Sequence, residues 1–176
     1  ILSILITIHG SSVLAQAIFW TDIENSMIWR ADLDGSNAQN IFAVQPFTID
    51  PRGIALDLAA GKMYWTNPAQ NDILRANLDG SSPEGLIVSG ITGLLDLAIH
   101  PEAGKIYWTT FQRIQRSNLN GTNVQTLLET PSGSSVGIVL DTTQGRMYWA
   151  QFGDHRIRRA DLDGSNPVDL LTQADD

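Results

Sequence analysis

Tyr64-Trp65-Thr66-Asn67 is followed by Ile73-Leu74-Arg75-Ala76 and then by the pair Asp79-Gly80. The same succession runs through Phe19-Trp20-Thr21-Asp22, Ile28-Trp29-Arg30-Ala31 and Asp34-Gly35, and through Tyr107-Trp108-Thr109-Thr110, Ile114-Gln115-Arg116-Ser117 and Asn120-Gly121. A last set is Tyr148-Trp149-Ala150-Gln151, Ile157-Arg158-Arg159-Ala160 and Asp163-Gly164. Trp20, Trp65, Trp108 and Trp149 stand 45, 43 and 41 positions apart. Short strand-like runs repeating at that period imply an all-β fold, a β-propeller of four-stranded antiparallel blades. In the second unit the strands are expected at 53–57, 62–66, 72–77 and 85–88, since no helical period competes there.

An apolar run precedes each later aromatic-Trp pair, at Gly53-Ile54-Ala55-Leu56-Asp57, Asp96-Leu97-Ala98-Ile99-His100 and Gly137-Ile138-Val139-Leu140-Asp141. Being apolar on both faces, it suits a strand near a propeller axis, which neighbouring blades cover from either side. In the next strand Trp65 shares a face with Met63 and Asn67, while Tyr64 and Thr66 point the other way. The four Trp are assigned to packing between adjacent blades, each worth a few kcal/mol, because a ligand site is not needed in every blade. Arg30, Arg75, Arg116 and Arg159 recur at one phase of the third strand. A guanidinium there can lie along the sheet and bond carbonyls or carboxylates of the neighbouring strand or blade. Gly35, Gly80, Gly121 and Gly164 follow Asp or Asn, the preferred central pair of a tight hairpin. A calcium-loop reading of 32–37 and 161–166 fails because neither segment supplies the bidentate Glu at the twelfth position.

These residues resemble the YWTD repeat, the low-density lipoprotein receptor class B repeat, over Ile18 to about Leu171. The resemblance implies a six-bladed propeller that sits outside cells and binds proteins, often beside disulfide-bonded modules. The chain departs from that pattern in having four repeats, no Cys, and a Thr-Asp pair after Trp only at Thr21-Asp22. The expected organisation is a truncated signal peptide at 1–17 and a propeller segment at 18–176, with repeats near 18–62, 63–105, 106–146 and 147–176. The apolar Ile1–Ile8 stretch and Ala15-Gln16-Ala17 carry the signal reading, with a strand or short helix on the first blade as the alternative. His9, Gly10, Ser11 and Ser12 break the run far short of the roughly 20 residues of a membrane span. The fourth unit reads as interrupted after Val168–Leu171. Self-association through open blade edges is expected if the chain is complete.

A balance of 43% hydrophobic and 17% charged residues is that of a globular domain. Net charge of −8 with only eleven Lys and Arg excludes a phosphate-binding surface and with it a nucleic-acid partner. With no Cys, thiolate catalysis and Cys-based zinc sites are excluded. The three His residues, His9, His100 and His155, form no triad or metal pair with their sequence neighbours, and the carboxylates of the apolar runs are Asp96 at the start of one and Asp57 and Asp141 at the ends of the other two. No cofactor or metal is expected, and a metal-dependent lactonase- or esterase-like propeller hydrolase is the least favoured reading.

The units can also be compared with one another. Connections after the first and third strands of each unit are uniform. Those after the second strand (23–26, 68–71, 111–112 and 152–155) and those between units (45–50 and 130–134) vary. In an up-and-down blade both variable sets emerge on one side, and a rigid disc should bind through its irregular face. Phe47, Phe111 and Phe152 are the candidate aromatic anchors there, with Glu24, Arg52, Asp154 and His155 as polar neighbours. The sequence therefore predicts a secreted or cell-surface, non-enzymatic module for an unspecified protein ligand. A structural or adhesive segment of a larger surface protein is the alternative.

Overall fold

The computed structural model describes residues 6–7, 17–42, 50–87, 90–131 and 133–172, and in them sixteen strands form four sheets. The first sheet comprises β1 (Ile6–Thr7), β2 (Ala17–Asp22), β3 (Met27–Asp32) and β4 (Gln39–Phe42); the second, β5 (Ile54–Asp57), β6 (Lys62–Asn67), β7 (Asp72–Asn77) and β8 (Glu84–Ile87). The third comprises β9 (Leu94–His100), β10 (Lys105–Thr110), β11 (Arg113–Asn118) and β12 (Gln125–Glu129); the fourth, β13 (Ser134–Asp141), β14 (Arg146–Phe152), β15 (Arg156–Asp161) and β16 (Val168–Thr172). In each sheet consecutive strands are antiparallel neighbours, so every connection is a hairpin. Residues 1–89 and 90–176 are two compact units, each holding two sheets.

The sheets do not begin where the sequence repeats begin. The first strand of each later sheet comes from the end of the preceding repeat, so the fourth repeat, which reads as interrupted, belongs to a complete four-stranded sheet with β13 at one edge and β16 at the other. In the first sheet Ile6–Thr7 fills the inner place, pairing Ile6 with Phe19 and Thr7 with Ile18, although 1–17 falls outside the repeat. The remainder of the proposed signal, residues 1–5 and 8–16, lies outside the described residues.

Alternation decides what each sheet buries. In the first unit Phe19 and Ile28 of the first sheet pack against Trp65, Met63 and Leu74 of the second. In the second unit Tyr107 and Ile114 of the third sheet pack against Trp149 and Met147 of the fourth. One face of a sheet thus carries the residue before Trp and the Ile of Ile-x-Arg; the opposite face carries the Trp itself. Burying one such Trp is worth about 2–3 kcal/mol. The Thr after Trp, fully buried at Thr21, Thr66 and Thr109, ties β6 and β10 to the inner strand. Thr66 Oγ1 accepts the Gly53 N–H at 2.9 Å and Thr109 Oγ1 accepts that of Asp96 at 3.2 Å. The fourth sheet has Ala150 there; its ladder shifts register between Ser135 and Gly137, as that of the third sheet does between Trp108 and Thr110.

The third-to-fourth connections are hairpins, but not the tight two-residue turns the Asp-Gly pairs suggest. Residues 33–38 separate β3 from β4, and the Gly35 N–H bonds the Asp32 carbonyl at 2.9 Å. Positive φ falls on Gly35 (82°) and Asn37 (53°) and not on Asp34. Asp34 instead accepts bonds from the Ser36 hydroxyl and N–H, which hold its carboxyl below the usual carboxylate range. Gly80 repeats this conformation at φ 83°, and a Cβ there would overlap the Ile41 carbonyl of the preceding sheet. Glycine at this turn lets the hairpin of one sheet abut the outer strand of its neighbour.

Candidate functional site

The two variable sets of connections lie side by side within each unit. In the first unit Thr21 Oγ1 donates to the Arg52 carbonyl at 2.7 Å, and the Asp50 N–H bonds Asn67 Oδ1 at 2.9 Å. In the second, the Phe111 N–H bonds the Gly93 carbonyl at 3.0 Å and the Thr130 N–H bonds the Gln112 carbonyl at 2.7 Å. The residue two after Trp secures these loops in every sheet. Asp22 accepts from the Asn25 N–H and side chain, Thr110 accepts the Arg113 N–H, and Gln151 Nε2 donates to Asp154 Oδ2 at 2.9 Å. The second sheet's counterpart, Asn67, accepts from the Asp50 N–H. Any short polar side chain of suitable reach performs this task, so the Asp of a YWTD motif is dispensable in three of four sheets.

The next position differs. Phe111 and Phe152 occupy it in the third and fourth sheets and are 57% and 69% exposed, while Trp108 and Trp149 three residues earlier are buried. The Phe111 ring rests on Gly93, whose missing side chain leaves it room. It borders a depression of about 400 Å³ lined also by Thr92, Thr110, Gln112, Arg113 and Gln115. Arg113 pairs with Glu129 at 3.1 Å. Gln115 was not singled out by the sequence reading, although a polar residue at the place of Trp29 and Leu74 is a signal. Its side chain accepts from Trp108 Nε1 and donates to Thr126 Oγ1, both at 3.2 Å. Phe152 borders a more apolar depression of about 460 Å³ with Val136, His155, Arg156, Ile157 and Leu171.

Asp154 and His155 lie in the turn 153–155, with His155 exposed at φ 51°. Glu24 and Arg52 belong to the first unit and are both exposed, with Arg52 Nη2 at 3.5 Å from Asp50 Oδ2. Phe47 lies outside the described residues.

The repeated Arg residues face the aromatic residue of the neighbouring strand. Arg75 sits 5.9 Å from the Tyr64 ring centre and 2.8 Å from Glu84, and Arg116 sits 5.9 Å from that of Tyr107. Arg116 Nη1 also donates to the Leu162 carbonyl of the adjacent sheet at 3.0 Å. Arg30 Nη2 is 3.9 Å from Asp32, and Arg159 pairs across the ladder with Tyr148. Gly121 and Gly164 repeat the positive φ of Gly35 and Gly80, at 79° and 89°.

Asp96 stands at the repeat position of Gly53 and Gly137. Its Oδ2 accepts the Ile138 N–H of the fourth sheet's inner strand at 3.0 Å, and burial pushes its carboxyl up to about 6. Among the described residues no group of three or more His, Asp or Glu is placed to hold a metal ion, and no helix is long and apolar enough to cross a membrane.

Residues 16–58 match the family model of the low-density lipoprotein receptor repeat class B. A chain in the crystal structure of a nidogen/laminin complex matches with a TM-score of 0.83 at 26% identity, covering 96% of this chain and 65% of its own. A putative TolB from Agrobacterium tumefaciens matches with a TM-score of 0.70 at 15% identity, covering 95% and 65%, a likeness of fold alone. The chain therefore spans just under two thirds of the length of these solved chains. No curated protein matches. The fold is that of a β-propeller, with four four-stranded blades in the described residues, of which residues 16–58 match a class B repeat.

Proposed function

We propose that this chain is an extracellular, non-enzymatic protein-binding module that works through the loop side of its third and fourth sheets. The observation that carries the reading is the pair Phe111 and Phe152, exposed at one repeat position, Phe111 directly after β10 and Phe152 at the end of β14. Large aromatic side chains fixed at a surface are the usual anchors of protein interfaces, and each borders a depression a partner side chain can enter. The nidogen/laminin neighbour, a propeller in a protein complex, supports a protein ligand. Asp96 accepts the Ile138 N–H, and among the described residues no group of three or more His, Asp or Glu is placed to hold a metal ion, which favours binding over hydrolysis.

The test is surface binding of the purified chain to a panel of matrix proteins, laminin first. Phe111→Ala and Phe152→Ala are expected to leave the circular dichroism spectrum intact and to weaken binding at least tenfold together, about 1.4 kcal/mol. Full binding by the folded double variant, or calcium-dependent turnover of lactones or esters, would sink the proposal.

A further inference from the structure

We propose that Asn120 carries an asparagine-linked oligosaccharide, at the end of the third sheet away from the loops that bind protein. The inference rests on the extracellular reading, because this modification is made on chains that enter the secretory pathway. Asn120-Gly121-Thr122 is the one place in the sequence where Asn stands two before Ser or Thr, the pattern of a sugar acceptor. At the same turn the other three repeats read Asp34-Gly35-Ser36, Asp79-Gly80-Ser81 and Asp163-Gly164-Ser165. The fold does not demand the change. Asn120 Oδ1 accepts the Thr122 N–H at 3.2 Å and its hydroxyl at 2.7 Å, as Asp79 Oδ1 accepts those of Ser81 at 2.9 and 2.6 Å. Either side chain builds the turn, and only Asn followed by Gly and a hydroxyl residue makes it an acceptor.

Asn120 and Thr122 are both exposed, and the exposure belongs to the position. Asp79 and Asp163 stay exposed although a carbonyl of the preceding sheet meets the place of a Cβ at Gly80 and Gly164. Packing of a neighbouring sheet against this turn therefore leaves the side chain in solvent. The turn uses only Oδ1 of Asn120, and among the described residues its Nδ2 has no partner. In the transfer, Nδ2 attacks C1 of the leading sugar of a lipid-linked oligosaccharide diphosphate. The Nδ2–C1 bond forms, the C1–O bond breaks, the lipid diphosphate leaves with the electron pair, and Nδ2 gives up one proton. The product is still an amide with the same Oδ1, so both bonds from Thr122 survive and a sugar added before folding does not obstruct the turn. Asn120 follows β11 and Phe111 precedes it. The six residues of that strand, at about 3.3 Å each, separate the two ends by roughly 20 Å. The sugar is thus anchored at the hairpin end, and the depression beside Phe111 opens at the other.

Expression of the chain behind an added secretion leader in cultured animal cells tests this, since entry into the secretory pathway then does not depend on the extracellular reading. Protein from the medium and from the secretory compartments is expected to shift to lower mass on treatment with peptide-N-glycosidase. The same treatment should convert Asn120 to Asp in the tryptic peptide 117–146. Asn120→Asp, which rebuilds the turn of the other three repeats, and Thr122→Ala should both migrate as the enzyme-treated chain. Thr122→Ser should keep the sugar. A wild-type chain without sugar in those fractions, or an Asn120→Asp chain that still shifts, would overturn the proposal and leave the extracellular reading standing. A chain that takes sugar behind the leader, yet is found unmodified in the cytosol of the cells that naturally make it, would overturn the extracellular reading and the proposal with it.

Discussion

Gly35 and Gly80 share a repeat position, a compact unit and a backbone conformation, with φ at 82° and 83°. They differ in surroundings: a Cβ at Gly35 meets nothing within 4 Å, and one at Gly80 overlaps the Ile41 carbonyl. Substitution by Ala at either site forces an L side chain into the left-handed region, costing about 1–2 kcal/mol. Reduced freedom of the unfolded chain returns roughly 0.4–1 kcal/mol. Gly35→Ala should thus lower stability by about 1 kcal/mol. Gly80→Ala adds the overlap, and since the obstructing atom is backbone in β4, two sheets must separate at their outer edge. Overpacking of that kind costs typically 1–3 kcal/mol, giving a total of about 3 kcal/mol. Equilibrium urea unfolding, followed by near-ultraviolet circular dichroism at submicromolar protein, reads the difference. With a slope of about 2 kcal/mol per molar urea, the Gly80→Ala midpoint should lie about 1 M below that of Gly35→Ala at unchanged slope. Coincident midpoints would refute the reasoning, showing that the hairpin gives way freely and the close approach is incidental.

Asp96 predicts a pH dependence. Its carboxyl is raised by burial from 3.8 to about 6 in the fold, so between about pH 4 and pH 6 the folded chain binds more protons than the unfolded one. Stability should therefore fall as pH rises through that window, by at most about 3 kcal/mol at 1.36 kcal/mol per unit. Asp96→Asn keeps an acceptor for the Ile138 N–H and should remove this slope; an unchanged slope between pH 4 and 6 would refute the assignment. Arg116→Met loses a charged bond to the Leu162 carbonyl and the stacking on Tyr107, which together are worth roughly 1–2 kcal/mol. The melting temperature should drop by about 2–8 °C, and an unaltered value would show the guanidinium is not structural.

How much of this was legible beforehand follows from where each signal resides. The strands of the second sheet are expected within one or two residues of where they lie, because alternation and the Gly-containing turns are local properties of the backbone. The boundaries of the sheets were not legible. Repeats aligned on Trp begin at the second strand, and nothing local says that β13 pairs with β14 rather than closing the preceding unit. For the proposed site, Phe111 and Phe152 were singled out by the irregularity of their loops. Gln115 was passed over because its partners, Trp108 and Thr126, come from two other strands.

The sequence by itself determined the repeat, its period, its strands and the residue types on each face, since these depend on side-chain size and alternation along one strand. The tertiary structure alone decided which faces are covered. Trp20 and Trp65 occupy the same repeat position, as do Ile157 and Ile114, yet one of each pair is open and the other buried. Burial is a property of what stands opposite, and a strand carries no record of its neighbour across a sheet junction.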